Sequence, residues 1–128
     1  MKQPTVPVHA LVLPWPDRRL HPNSRPHWGA KSKATKAARH NAHLCALEAG
    51  WHLHKLPEGR LHLWIDFYPP DRRARDDDGL LSSMKAARDG IADALKVNDS
   101  RFVSHPYLKD ETHPGGRVEI RITGAPEQ

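Results

Sequence analysis

The sequence has one cysteine among 128 residues, Cys45. That excludes an intrachain disulfide and a cysteine-ligated zinc site, and it fits a reducing compartment. Cys45 itself falls on the apolar side of a helical stretch and reads as an inert core thiol. No apolar run approaches the roughly 20 residues of a membrane-spanning helix. Met1-Lys2-Gln3-Pro4 leads into no apolar stretch of the kind that marks a secretory signal. The expectation is a cytoplasmic protein with no membrane partner. Ten histidines are present, but their spacing forms no HExxH or Cys₂His₂ pattern. His40 and His43 share a helix face without a third ligand. There are no internal repeats and no low-complexity tract.

Acids are also missing where bases collect. Residues 18–39 contain Arg18, Arg19, Arg25, Lys31, Lys33, Lys36 and Arg39 and not one carboxylate, whereas residues 66–99 hold eight of the fifteen acids. The net charge of +5 only favours polyanions in general. The segregation says more, since one segment is built to touch phosphate and another carries carboxylates close by. A length of 128 residues bounds the chain to one domain with a modest core.

The pattern predicts a small mixed α/β domain with about four strands and two main helices. Residues 6–13 form a first strand, and Pro14-Trp15-Pro16 ends it. Residues 14–30 make a long loop, and loops beyond about 12–15 residues are often functional. Residues 31–49 are alanine-rich and read as a helix. Lys31, Lys33, Lys36 and Arg39 decorate its first turns, where the helix dipole prefers anions, so their placement favours phosphate contact. Residues 60–68 alternate, with Leu61, Leu63, Ile65 and Phe67 on one face and His62, Trp64, Asp66 and Tyr68 on the other. A second helix follows over 77–95, with Leu80, Met84, Ala87, Ile91 and Leu95 at helical spacing. Residues 101–108 and 117–122 complete the strands. Trp51 and Trp64 read as packing residues, and packing is also the more common fate of Trp15 and Trp28. Stacking on a base is the alternative for those two. His27 is a candidate DNA contact.

The densest chemistry lies in Arg72-Arg73-Ala74-Arg75-Asp76-Asp77-Asp78. One reading is a solvated charged turn. The other is a metal site beside a phosphate grip, because Mg²⁺ takes oxygen ligands and often one or two carboxylates plus substrate phosphates. At a loop-to-helix transition Asp76 and Asp78 can converge on one ion, and Asp99 returns after one helix and a turn. Asp77 and Asp66 are the competing ligands. Lys85 lies two turns past Asp78, roughly 10 Å by helical rise, on the same face. It can reach a phosphate there or simply pair with Asp89.

Several segments together resemble one known family. They are Arg75-Asp76-Asp77-Asp78-Gly79-Leu80-Leu81, Lys85, Asp89-Gly90-Ile91-Ala92-Asp93-Ala94-Leu95 and Val97-Asn98-Asp99-Ser100, with Leu13-Pro14-Trp15-Pro16, Asn23, His27-Trp28 and Lys31 ahead of them. The chain resembles the RusA family of Holliday junction resolvases over about residues 8–123. The resemblance implies a homodimer in a bacterial or phage-infected cell that binds four-way DNA junctions. It also implies paired symmetric nicks made with Mg²⁺, or Mn²⁺ in its place. The catalytic and metal-binding aspartates of the family fall on Asp76, Asp78 and Asp99, and its catalytic lysine matches Lys85 best. Arg18, Arg19, Arg25, His27, Lys31, Lys33, Lys36, Arg72, Arg73 and Arg75 would hold DNA backbone. The chain departs from the family at Asp77, at Gly79 (usually asparagine) and at Asn98 (often aspartate). Two other functions compete: a junction-binding protein that does not cut, and a metal-dependent nuclease for forks or flaps.

Overall fold

In the computed structural model, residues 4–125 are described, and of Asp77 only the backbone. Met1–Gln3, on which the secretory reading rests, and the Asp77 side chain lie outside the described residues. The elements are β1 (Leu11–Pro14), α1 (Trp28–Glu48), β2 (Leu61–Tyr68), α2 (Asp77–Ser83), α3 (Lys85–Leu95), β3 (Phe102–Leu108) and β4 (Arg117–Thr123). One-turn 3₁₀ segments sit at Arg18–Leu20, Trp51–Leu53 and Asp99–Arg101. The sheet is mixed, in the order β1-β4-β2-β3. β3 runs parallel to β2, with Leu61 opposite Phe102, and β4 is antiparallel to both β1 and β2.

The alternation in β2 sets the layers. Leu61, Leu63, Ile65 and Phe67 join Val118, Ile120, Ile122, Leu11 and Leu13 in one buried cluster with Ala42, Ala46, Ala87 and Ile91 of the helices. Each fully buried Leu, Ile or Phe side chain contributes about 1.5–3 kcal/mol relative to exposure. The helices touch at Gly90, where a Cβ would stand 2.1 Å from the Arg39 carbonyl oxygen. Arg39 also closes this contact with two hydrogen bonds to Asp93, of 2.7 and 2.9 Å. The opposite sheet face is an aromatic ladder. His105 stacks on Trp64 at 4.0 Å between centroids, and Tyr107 follows at 6.4 Å. His62 and His105 are hydrogen-bonded at 2.8 Å. On this face Asp66, the acid that needs a partner, has Lys109 at 3.7 Å.

Three boundaries differ from the sequence reading. β1 begins at Leu11 and not at residue 6. Upstream, the His9 carbonyl accepts a 3.0 Å hydrogen bond from the Trp51 indole, and Pro7 has no N–H to give to a ladder. α1 begins at Trp28, because His27 caps it: Nδ1 accepts the Gly29 N–H at 3.2 Å. The helix expected over 77–95 is two helices, broken at Met84. Ser83 Oγ donates to the Gly79 carbonyl at 2.9 Å, a back-bond that bends helices.

Candidate metal and phosphate groove

The loop after β2 brings its own restraint. The Arg75 guanidinium donates from Nη1 to the Asp71 and Arg73 carbonyls at 2.9 and 3.0 Å and from Nη2 to Asp71 Oδ1 at 2.8 Å. It also lies 5.4 Å from the centroid of the Trp15 ring. The Arg73 N–H, and then the Arg75 side chain, hold the Asp71 carboxyl down at about 2. Arg75 is left 17% exposed, with its guanidinium engaged in fixing the loop. Trp15 in turn packs edge-on against Phe67 at 6.0 Å, the packing fate expected of it.

This scaffold delivers Asp76 to the start of α2. Asp76 is its N-cap, with Oδ1 accepting the Asp78 N–H at 3.1 Å. Both carboxylates are exposed. Asp76 lines a groove of about 580 Å³ together with Arg18, His21, Arg75 and Trp15. The groove lies between the 15–21 loop and the 74–83 segment, so it joins the first half of the charged run to the long N-terminal loop.

The other expected site residues fall into separate places. Asp99 opens the 3₁₀ turn before β3 and lines a different cavity, with Arg39, Asp89 and Asp93. Asn98 caps that turn, its side chain accepting the Ser100 N–H at 2.9 Å. The break at Met84 removes the continuous helix face that was to carry Lys85 beside Asp78. Lys85 instead lies 3.7 Å from Asp89, 73% exposed. Among the described residues, no group of three His, Cys, Asp or Glu side chains could hold a metal ion.

Of the expected DNA contacts, Arg18, Arg25, Lys31, Lys33, Lys36, Arg72 and Arg73 are exposed. Arg19 is tied to Asp17 by hydrogen bonds of 3.0 and 2.8 Å, which hold the Asp17 carboxyl at about 2. His27 is engaged as the α1 cap. Its neighbour Trp28 projects outward, 79% exposed, stacked on the His27 ring at 6.0 Å. Trp28 is therefore not a packing residue. Cys45 is half-buried, and burial pushes its thiol up.

Sequence reasoning passed over His21. Its Nε2 stands 2.5 Å from where a Cβ on Gly79 would be. Gly79 was the available signal: a side chain there would have to displace this imidazole.

No helix among the described residues is long and apolar enough to cross a membrane. No family model matches the chain. An uncharacterized protein of Xylella fastidiosa (strain Temecula1 / ATCC 700964) is 53% identical over 122 residues, which is 94% of this chain and 80% of the relative. The chain belongs to one family with that Xylella fastidiosa protein.

Proposed function

We propose that the protein is a RusA-like, Mg²⁺-dependent endodeoxyribonuclease that acts as a homodimer on four-way DNA junctions. The observation that carries this reading is the position of Asp76 and Asp78, both exposed at a loop-to-helix turn, with Asp76 on a groove that Arg18 also lines. The donor set fits the ion. One oxygen of Asp76 is engaged by the Asp78 N–H, which leaves its other oxygen and the Asp78 carboxylate for a hard cation. Mg²⁺ needs no more protein ligands than that when waters and phosphate complete its shell. Bound there, it would supply Lewis-acid stabilisation of the scissile phosphate and an acidified water.

The rest of the chemistry falls to the chain. Arg18, Arg25, Arg72, Arg73 and the lysines of α1 would neutralise backbone phosphates, so binding would weaken steeply with salt. Trp28 would offer an exposed ring for stacking on a base at a branch point. Arg75 holds Asp76 in place through Asp71. Asp99 lies in a separate cavity within one chain, so the proposed ion would rest on Asp76 and Asp78. Lys85 would help neutralise phosphate charge once drawn from Asp89.

A junction-binding protein without cutting is the second reading. The separation of Asp99 from Asp76 into different cavities favours it. Labelled four-way junction, fork, flap and linear duplex, each incubated with Mg²⁺, separate the possibilities. The nuclease reading expects paired cuts in the junction. Binding without cuts supports the second reading, and cuts confined to forks or flaps redirect the substrate.

A further inference from the structure

We propose that His21 contacts the substrate in this groove, donating Nε2–H to a non-bridging phosphate oxygen beside Asp76. The proposal rests on the nuclease reading above.

The ring's orientation follows from its one hydrogen bond among the described residues. His21 Nδ1 lies 3.1 Å from the backbone nitrogen of Asn23, which can only donate. Nδ1 is therefore the acceptor, and the proton of the neutral ring sits on Nε2. That edge of the ring faces α2. A Cβ on Gly79 would be 2.5 Å from Nε2 and 3.1 Å from Cε1. The imidazole thus occupies the space that a side chain at position 79 would fill, one residue past Asp78.

Both ends of this arrangement are held. His21 closes the 3₁₀ turn Arg18–Leu20, with its N–H bonded to the Arg18 carbonyl at 3.1 Å. Gly79 is buried in the first turn of α2. His21 lines the same groove as Asp76 and Arg18, and among the described residues nothing accepts from Nε2. A donor fixed before substrate arrives stabilises developing charge without reorganising at the moment of reaction. If the ring merely filled space, an apolar side chain of similar bulk would serve.

The experiment follows from that contrast. Single-turnover cutting of a four-way junction in Mg²⁺ is measured at saturating protein for wild type, His21→Leu and His21→Gln. His21→Leu keeps bulk without the donor and is expected to cut about 10–100-fold more slowly, with junction affinity nearly unchanged. His21→Gln restores a donor at the far end and is expected within about fivefold of wild type. Wild-type cutting by His21→Leu, while Asp76→Asn is inactive, overturns the role of His21 and leaves the nuclease reading standing. No cutting of any branched DNA by wild type overturns both. Denaturation tests the ring placement without any substrate. Gly79→Ala is expected to destabilise the protein, and less so when combined with His21→Ala; equal losses in both backgrounds contradict the packing on which the proposal stands.

Discussion

Arg75 and Asp71 are joined twice, by a 2.8 Å hydrogen bond from Nη2 to Oδ1 and a 2.9 Å hydrogen bond from Nη1 to the Asp71 carbonyl. With Trp15 under the same guanidinium, this contact links the loop that delivers Asp76 to the loop that forms the other wall of the groove. The arginines of the charged run therefore divide into Arg75, which builds the site, and two exposed ones, of which Arg73 pairs with Asp71 at 3.1 Å from the solvent side.

That division predicts opposite phenotypes. Arg75→Ala leaves loop carbonyls without their donor and should lower stability by about 1–3 kcal/mol. Arg72→Ala and Arg73→Ala should stay within about 0.5 kcal/mol of wild type. Each should instead weaken DNA binding and reduce the salt slope by about 1. Urea denaturation and binding at several salt concentrations read the two effects separately.

Acid should release the same contact. Asp71 is held at about 2 against an ordinary 3.8, so its folded pKa is depressed. The stabilisation is present above about 3.8 and is lost as pH falls through about 2. Asp17, held at about 2 mainly by the Arg19 side chain, titrates in the same window. Asp71→Asn should show a shallower loss of stability on acidification than wild type, with the remaining slope due to Asp17 and to Asp93, which the Arg39 guanidinium also holds below the ordinary range. An unchanged slope in a pH series of denaturation curves counts against this.

Much of this fold is legible in the sequence because it rests on periodicity. The alternation from Leu61 to Tyr68 and the spacing of Leu80, Ala87 and Ile91 specify faces, and the layers follow. What was not legible depends on single atoms far apart in sequence. The Trp51 indole takes the His9 carbonyl upstream of β1, and the helix is interrupted at Met84, beside the Ser83 back-bond, although its apolar pattern continues unbroken. That break also decides the site. Spacing alone put Lys85 beside Asp78, but the helix is interrupted at Met84 and Lys85 pairs with Asp89 at 3.7 Å. The return of Asp99 to the metal pair was likewise inferred from chain distance, whereas Asp99 lines a different cavity with Arg39, Asp89 and Asp93.

The α1–α3 contact tolerates no added atom. Gly90→Ala puts a methyl group 2.1 Å from a backbone oxygen that cannot turn away. The helices must separate, with an expected cost of about 3 kcal/mol or more. Chemical denaturation checks it; a loss under about 1 kcal/mol would mean the helices sit further apart than described.

Trp28 separates binding from folding. At 79% exposure its removal should leave stability within about 0.5 kcal/mol. Loss of a stacking ring should cost about 1–3 kcal/mol in junction affinity. Titration of Trp28→Ala with a labelled junction measures it. Unchanged affinity would leave Trp28 without a part in binding.

The most direct test is strand mapping of a four-way junction cut in Mg²⁺ by wild type and by Asp76→Asn. Asp76→Asn keeps the loop and the cationic surface but removes a carboxylate charge from the groove. Wild type should nick two opposed strands at symmetric positions, and the variant should bind the junction as tightly or more tightly while leaving it intact. Cutting by Asp76→Asn at the wild-type rate would contradict the account at its centre.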